Sequence, residues 1–325
     1  MTHPRDGVTA TGGTSSSSDR GNAAVRTAAR RIRGLIRPTP LFDVGEVNGA
    51  NVRLKLESFQ LAGSFKIRGA LNSLLAAPPG TSSVVAASGG NHGIAVATAA
   101  AQSRLSSTIY VPTTVSPTKA ARIERAGATL IRVPGSFLDA DRLAREHATA
   151  DGALYVHPFD HPDVVAGQGT VGLEIVSAWS DVDLVVASVG GGGLATGLVQ
   201  SAAGRFEVVP AEPELCPTLA ASRSAGEPVT VDVAGIAADA LGAPRLGEIA
   251  WQTLGRADVD PVIVSDAAIL AAQRELWLEW RIAAEPAAAC AWAALGALDA
   301  ERLVGRNVAV VICGANLEPS GVPDR

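Results

Sequence analysis

Residues 184–194 read LVVASVGGGGL, and they say more about the architecture of this chain than any other short stretch. The apolar run Leu184–Val189 is typical of a strand buried on both faces, as in a parallel sheet. Four consecutive glycines, Gly190–Gly193, follow at once, and Leu194 opens a helical pattern. Such a turn lets several backbone N–H groups converge at the positive end of the helix. The stretch therefore predicts a strand–turn–helix unit that can bind a phosphate group.

The same order of strand, small-residue turn and helix recurs on both sides of this stretch. Ser83–Ala87 is an apolar strand pattern that runs into a Gly-Gly turn and a helix from Asn91. Alternation of this kind predicts an α/β protein with mostly parallel sheets. The other predicted strands are Asn51–Glu57, Ser107–Val111, Thr129–Val133 and Asn307–Cys313, and the other predicted helices are Asn22–Leu35, Thr118–Ala126 and Leu138–Ala150.

Composition narrows the class of protein. The chain has 325 residues, 47% of them hydrophobic and 18% charged, which is typical of a globular protein long enough for two domains. Its net charge of −5 gives no reason to expect nucleic acid or an anionic membrane as a partner. No apolar run could span a bilayer, and the N-terminus lacks a signal-peptide pattern. Cys216, Cys290 and Cys313 form no metal-binding or disulfide pattern, so we expect a cytoplasmic protein.

The segment Ser64–Ala70, SFKIRGA, places Lys66 between apolar neighbours. Burial lowers the pKa of a lysine and frees its amine, which can then form a Schiff base with an aldehyde. The alternative is a lysine at a helix start whose stem packs on apolar surface while its ammonium group reaches water. This segment alone leaves both interpretations open.

The segment Ala87–Gly93, ASGGNHG, has the composition of an anion-binding turn. Its glycines let the backbone approach a ligand, and Ser88, Asn91 and His92 add side-chain donors at the start of a helix. The alternative is a structural turn in which Asn91 is the N-cap of that helix.

The glycine run also has a second interpretation. Gly190, Gly192 and Ala195 fit a loose dinucleotide-binding fingerprint, and Glu212 lies at a suitable distance beyond it for a ribose contact. A nicotinamide-dependent dehydrogenase is therefore an alternative, although it assigns no role to Lys66 or Asn91.

Cys313 ends the last predicted strand and is followed by glycine in the sequence ICGAN. This position lies at the carboxyl edge of the sheet, where open α/β proteins bind their ligands. The alternative is a buried free cysteine that behaves as a small hydrophobic side chain.

Six segments, in order, resemble the threonine/serine dehydratase branch of the pyridoxal 5′-phosphate (PLP) enzymes with the tryptophan-synthase-β type of fold. The resemblance covers roughly residues 35–320. It implies an α/β protein with two domains, each an open twisted sheet with flanking helices, and PLP in the cleft between them. The segments are SFKIRGA, SGGNH, HPFDHPDVVAGQGT (His157–Thr170), GGGGL, AEPAAACAWAAL from Ala284, and ICGAN.

The resemblance also implies a role for each matched residue. Lys66 is expected to hold PLP and move the Cα proton, and Phe65 to pack against the ring. Asn91 is expected to bond the ring hydroxyl and Cys313 to meet the pyridine nitrogen. Glu285 is expected near the site without an assigned role. The expected phosphate ligands are Gly190, Gly191, Gly192, Gly193 and Leu194, and the expected substrate-carboxylate ligands are Ser88, Gly89, Asn91 and His92.

Three departures from the family pattern bear on function. Serine racemases of the family carry a serine as second base where this chain has Gly89, so we expect little racemase activity. The metal site of some relatives falls on Glu212, the carbonyl of Cys216, and Thr218, and threonine replaces an expected carboxylate, so the sequence leaves open whether a cation binds there. An Ala-Asp-Gly stretch near the substrate becomes Ala238-Asp239-Ala240, which leaves substrate choice open.

The resemblance predicts a PLP-dependent ammonia-lyase that converts L-threonine, L-serine or a close β-hydroxy amino acid to a 2-oxo acid and ammonia. The alternatives are a dehydratase of a bulkier or acidic substrate, such as phenylserine or 3-hydroxyaspartate, a β-replacement enzyme, and a PLP-binding protein without turnover.

The expected organisation has three regions. Residues 1–21, rich in Ser, Thr and Gly, are expected to be a disordered tail. Residues 22–82 and 158–325 are expected to form a large PLP-binding domain, and residues 83–157 a small substrate-binding domain. The matched segments end near Asn316, so no regulatory domain is expected, and family analogy suggests a homodimer.

Overall fold

The computed structural model describes residues 17–258 and 260–317 of the chain. Residues 1–16, most of the tail predicted to be disordered, lie outside the described part. The remainder of that predicted tail is helical, because the first helix spans Ser17–Ile32 and not Asn22–Leu35.

Tertiary contact explains the earlier start of this helix. The Asn22 side-chain amide donates to the carbonyls of Gln200 and Ser201, both at 3.2 Å. Gly21 lies directly against the Gln200 side chain, where even a Cβ atom would come within 2.8 Å. These contacts order a segment whose composition alone indicated disorder.

The elements alternate along the chain as predicted, and no helix among the described residues is long and apolar enough to cross a membrane. The strands are β1 (Leu41–Val47), β2 (Ala50–Leu56), β3 (Ser83–Ala87), β4 (Ser106–Pro112), β5 (Thr129–Val133), β6 (Leu154–Tyr155), β7 (Leu184–Ser188), β8 (Glu207–Pro213), β9 (Val262–Val264) and β10 (Asn307–Ile312). The α-helices are α1 (Ser17–Ile32), α2 (Lys66–Leu75), α3 (Asn91–Ser103), α4 (Pro117–Arg125), α5 (Phe137–Asp151), α6 (Pro162–Ala178), α7 (Gly193–Ala202), α8 (Thr218–Ala225), α9 (Ala238–Leu241), α10 (Glu248–Leu254), α11 (Asp266–Trp280), α12 (Pro286–Ala297) and α13 (Ala300–Leu303), and two short 3₁₀ turns cover Glu57–Phe59 and Leu61–Gly63.

The strands form two sheets, which confirms the predicted α/β class. A six-stranded sheet has the order β1-β2-β10-β7-β8-β9 and is parallel except for the edge pair β1–β2. A four-stranded parallel sheet has the order β5-β4-β3-β6 and lies within residues 83–155. The second sheet is thus an insertion into the chain that builds the first. The exact limits of the two predicted domains stay a prediction.

Small residues let the helices that carry the site pack closely. A Cβ atom on Gly167 of α6 would come within 2.6 Å of the Arg68 carbonyl of α2, and one on Gly169 would come equally close to the Gly197 carbonyl of α7. Side chains at these glycines would push α6 away from its neighbours. Glycine therefore fixes where the N-termini of α2 and α7 lie.

A buried network of ion pairs holds α2 in place. The Arg68 guanidinium is fully buried and donates to both carboxylate oxygens of Glu57, at 2.7 and 2.8 Å. It also donates to both oxygens of Glu174, at 2.7 and 2.9 Å, and Lys55 reaches Glu174 at 2.6 Å. A buried charge is tolerated only when it is paired in this way, so the network fixes the helix that begins at Lys66.

Candidate active site

A cavity of about 520 Å³ lies between the two sheets, where the carboxyl ends of β3, β7 and β10 meet. This is the edge at which open α/β sheets bind ligands. All the residues predicted to bind cofactor or substrate line it: Phe65, Lys66, Ser88, Gly89, Asn91, His92, Gly190, Gly191, Gly192, Gly193, Leu194 and Cys313. The structure thus joins segments that are up to 248 residues apart in sequence, from Phe65 to Cys313.

Lys66 is the first residue of α2, and its side chain enters the cavity. Its Nζ donates to the Pro158 carbonyl at 2.8 Å. Burial penalises the charged ammonium and lowers the pKa of Lys66 to about 8. The amine is therefore much closer to its neutral, nucleophilic form than an exposed lysine is.

The turn that holds Pro158 against Lys66 is itself ordered by His157. The His157 Nδ1 accepts the backbone N–H of Asp160 at 2.8 Å, and the imidazole and Phe159 rings meet edge to face with centroids 4.8 Å apart. Phe159 in turn packs behind the glycine turn. The family-like segment from His157 thus has a direct structural role that the sequence did not assign.

Each glycine of the turn after β7 is closely backed by protein. A Cβ atom added to Gly190 would come within 2.8 Å of the Leu241 carbonyl. One on Gly191 would come within 2.4 Å of the Phe159 ring, and one on Gly192 within 2.4 Å of Ala250. Gly192 also has a φ of +88°, which favours glycine. The turn therefore presents bare backbone to the cavity.

Helix α7 starts at the end of this turn and spans ten residues, Gly193–Ala202. The first N–H groups of a helix have no partner within it, and they carry the positive end of the helix dipole. Glycine backbone and helix start together form a cradle suited to a phosphate group.

The turn after β3 forms the opposite wall. Gly90 is the N-cap of α3 and Asn91 its first residue, so the alternative in which Asn91 caps the helix is wrong. The Ser88 hydroxyl accepts the Gly90 N–H at 3.2 Å. A Cβ atom on Gly89 would come within 2.8 Å of Val115 Cγ2, so a larger residue there needs Val115 to move.

His92 requires a correction. Its Nε2 lies 2.8 Å from the Val156 carbonyl, which can only accept, so Nε2 carries the proton and donates it there. Burial lowers the pKa of His92 to about 3, and the ring is neutral. The imidazole N–H is therefore engaged by Val156, and only the backbone N–H of His92, in the first turn of α3, is left for a substrate carboxylate.

Asn91 belongs to a hydrogen-bond network with Glu285 and Asn316. Its Nδ2 donates to both Glu285 oxygens, at 3.1 and 2.8 Å, and its Oδ1 accepts from Asn316 Nδ2 at 2.7 Å. Glu285 precedes α12, is buried, and does not belong to the cavity lining. Burial raises the pKa of Glu285, while N–H donors from Asn316 and Asn91 oppose that rise.

Cys313 directly follows β10 and lines the cavity, and its carbonyl accepts the Phe65 N–H at 3.1 Å. Burial raises the pKa of the Cys313 thiol far above its ordinary range, and the nearby Glu285 carboxyl adds to the effect. The side chain is therefore a neutral thiol at physiological pH, able to donate only a weak hydrogen bond.

Glu212, Cys216 and Thr218 lie outside the cavity. The buried Glu212 carboxylate accepts the N–H groups of Leu219 and Ala220, at 2.7 and 2.8 Å, and so caps α8. Thr218 Oγ1 lies 3.2 Å from Glu212 and 2.7 Å from the Gly190 carbonyl, which braces the glycine turn. Glu212 is thus committed to its own helix and is not free for the ribose contact of a dinucleotide. Among the described residues, no cluster of three His, Cys, Asp or Glu could hold a metal.

The mouth of the cavity joins Asp239, from the Ala238–Ala240 stretch noted in the sequence, to residues that the sequence did not single out. Lys119 of α4 and Asp239 of α9 form an ion pair that joins the two sides of the cleft. Val115 and Phe137 add apolar surface on the side of the four-stranded sheet. No short motif marks Lys119, Val115 or Phe137, because they reach the cavity only through the fold.

The chain is similar to known proteins over most of its length. Residues 32–314 match the family described as pyridoxal-phosphate dependent enzyme. The chain is 34% identical to the L-threonine ammonia-lyase of Thermotoga maritima, over 90% of this chain and 75% of that protein. It is also 34% identical to the phenylserine dehydratase of Ralstonia pickettii, over 91% and 93%. The solved structure of maize serine racemase superimposes with a TM-score of 0.85 at 29% identity and covers 92% of this chain and 94% of its own.

Proposed function

The chain belongs to the family of pyridoxal-phosphate-dependent enzymes, and on that premise we propose that it is an ammonia-lyase for a small L-β-hydroxy amino acid. Threonine and serine are the proposed substrates, and the products are a 2-oxo acid and ammonia. The observation that carries the proposal is the Lys66 amine, with a pKa lowered to about 8, in one cavity with the glycine cradle and Cys313.

The residues of the cavity fit PLP. Its phosphate matches the bare backbone of Gly190–Gly193 and the start of α7, where side chains would clash with the wall behind. Its aldehyde would form a Schiff base with the Lys66 amine. The Phe65 ring, with its centroid 5.3 Å from Lys66 Nζ, would pack beside the cofactor ring, and Asn91 and Cys313 would meet its polar atoms.

The chain's own groups then account for the proton transfers. When bound, PLP withdraws electrons from the Cα atom of an attached amino acid and makes its proton acidic. The neutral Lys66 amine is the base placed to accept that proton. The β-hydroxyl would leave as water by taking up one proton, which balances the proton accepted by Lys66, and the released enamine would take up water and give the 2-oxo acid and ammonia.

The turn after β3 would hold the substrate. The backbone N–H groups at the start of α3, with the Ser88 hydroxyl, offer donors to the substrate carboxylate. Gly89 offers no side chain, so no second base is proposed at that position. The same groups fix Cα relative to Lys66, which is what a proton transfer requires.

Release of 2-oxo acid tests the proposal. Holoenzyme is incubated with L-threonine, L-serine, phenylserine and 3-hydroxyaspartate, and oxo acid and ammonia are measured together. We expect equal amounts of both from threonine or serine. Retained yellow colour without any oxo acid would favour a PLP-binding protein without turnover, and product only in the presence of a second nucleophile would favour a β-replacement enzyme.

A bulkier substrate is the second candidate. The cavity of about 520 Å³ must hold PLP as well as the substrate, and Val115 and Phe137 give its wall apolar surface suited to a larger side chain. The phenylserine dehydratase relative is as similar in sequence as the threonine ammonia-lyase. A kcat/KM for phenylserine at least about tenfold above that for threonine, or about 1.4 kcal/mol in barrier, would favour it. A homodimer and a cytoplasmic location stay predictions.

A further inference from the structure

A network of hydrogen bonds joins Asn316, Asn91 and Glu285. A backbone carbonyl fixes which atom donates at the Asn316 end. Asn316 Nδ2 donates to the Ala62 carbonyl at 2.8 Å, and a carbonyl can only accept. The same Nδ2 lies 2.7 Å from Asn91 Oδ1, so it gives its second hydrogen to that oxygen. The Asn91 oxygen is therefore occupied, and the amide is oriented by a backbone group outside the cavity.

The other end of the Asn91 amide meets Glu285. Asn91 Nδ2 lies 2.8 and 3.1 Å from the two Glu285 oxygens, and the Asn316 backbone N–H reaches Oε1 at 2.7 Å. Every one of these groups is a donor, which is what an ionised carboxylate needs. The contacts with Asn316 and with Glu285 thus impose the same orientation on the Asn91 amide.

The fold makes room for this carboxylate. A Cβ atom on Gly314 would come within 2.6 Å of Glu285 Oε1, so a side chain there would displace it. The Glu285 backbone N–H donates to the Gly314 carbonyl at 3.1 Å, which holds the start of α12 against the end of β10. Glu285 therefore lies directly behind Asn91 although it does not line the cavity.

We propose that Glu285 is a positioning residue that makes Asn91 a hydrogen-bond donor toward the cavity and so favours the ionised ring oxygen of bound PLP. Asn91 lines the cavity, its Oδ1 is engaged by Asn316, and only an Nδ2 hydrogen remains to face a ligand. An amide N–H stabilises an acceptor, and an ionised oxygen is a stronger acceptor than a hydroxyl. This inference rests on the proposed function in one respect, that PLP occupies the cavity with its ring oxygen toward Asn91.

The test is the absorption spectrum of the holoenzyme, because the ionised and protonated ring forms absorb in different bands. Glu285→Gln places an NH₂ group where Asn91 Nδ2 now finds an oxygen, so the Asn91 amide loses one of the two groups that orient it and keeps only the Asn316 donor. At one PLP per chain, we expect the ratio of the yellow band to the near-ultraviolet band to fall at least about fivefold, the size of one ordinary hydrogen bond. Glu275→Gln is the matched control, because Glu275 accepts the Trp292 N–H at 2.9 Å and lies outside the cavity lining; its ratio should not change.

Asn316→Ala tests the other end of the network. It removes the donor to Asn91 Oδ1 and leaves the Glu285 carboxyl group in place, and we expect the same band ratio to fall in the same direction. This variant also decides the question if Glu285→Gln does not fold. An unchanged ratio in Glu285→Gln with full PLP would overturn the inference, and so would a change in Glu285→Gln without one in Asn316→Ala. A yellow wild-type protein that releases no oxo acid would refute the proposed function alone.

Discussion

At the scale of single residues, the site depends on how burial sets protonation. Burial lowers the pKa of Lys66 and raises that of Cys313, so the first is available as a neutral amine and the second stays a neutral thiol. The two groups share one cavity, and both shifts have desolvation as their largest cause. Burial thus provides a base from a lysine and a weak donor from a cysteine, and the Glu285 carboxyl adds to the second shift.

The lowered pKa of Lys66 predicts a pH dependence for cofactor attachment. Only the neutral amine reacts with the aldehyde, so the rate at which apoprotein takes up PLP should rise about tenfold per pH unit and level off near pH 8, the pKa of Lys66. Stopped-flow absorbance measures this rate. A rise that continues to about pH 10.4, the value for an ordinary lysine, would contradict the burial argument.

Gly89 predicts weak racemisation and a route to restore it. Gly89→Ser alone should yield no appreciable D-serine, because its Cβ would meet Val115 Cγ2 at 2.8 Å. Combining it with Val115→Ala supplies space, and we expect at least about tenfold more D-serine than in the single variant. Chiral chromatography of the products measures both. Comparable D-serine and pyruvate from the wild-type enzyme would refute the prediction of weak racemisation.

The Cys313 thiol predicts that elimination prevails over side reactions. A neutral thiol cannot keep the pyridine nitrogen protonated, so Cys313→Ser should retain activity within about tenfold. Cys313→Asp would place a carboxylate beside the pyridine nitrogen and keep that nitrogen protonated, so elimination should fall by more than about tenfold and transamination should rise. Product analysis by mass spectrometry measures both reactions. An aspartate variant that eliminates as well as the wild type, with no new product, would contradict this account.

At the scale of secondary-structure elements, glycines and buried charges hold the helix starts that form the site. Most of the strands and turns beside the site could be predicted from sequence. The strands predicted at Ser83–Ala87 and Leu184–Val189 agree with β3 and β7, because apolar runs that end in glycine have few alternative structures. The start of α1 could not be predicted, because contacts with Gln200 and Ser201 decide it.

The buried network beneath α2 predicts a large loss of stability on a small change. Glu57→Gln leaves the fully buried Arg68 without one of its two carboxylate partners, and the free energy of unfolding should fall by about 3–5 kcal/mol. The control is Asp43→Asn, in an exposed pair with Arg53 at 3.3 Å, which should cost less than about 1 kcal/mol. Urea denaturation at a fixed PLP concentration measures both variants. Equal losses in the two would show that burial of the network is not what matters.

At the scale of the whole molecule, the two sheets meet where their carboxyl ends face one cavity. The family resemblance predicted a cleft between two sheets, and the Ser88–His92 turn, Gly190–Gly193 and Cys313 each follow a strand, whereas Lys66 begins α2. The Lys119–Asp239 ion pair and the network of Asn91 with Glu285 also join the two sides. Sequence could not give these cross-cleft contacts, because they depend on how far the sheets close on each other.

The most direct test of the central claim is oxo-acid release from L-threonine and L-serine by the wild-type protein and by Lys66→Ala, each saturated with PLP. The wild type should form 2-oxo acid and ammonia in equal amounts, and borohydride should fix its cofactor on Lys66. The alanine variant should lose both turnover and covalent attachment, because the cavity then has no amine to bind the aldehyde or accept the Cα proton. Substantial oxo-acid formation by Lys66→Ala, or a wild type that forms none from any β-hydroxy amino acid, would contradict the account.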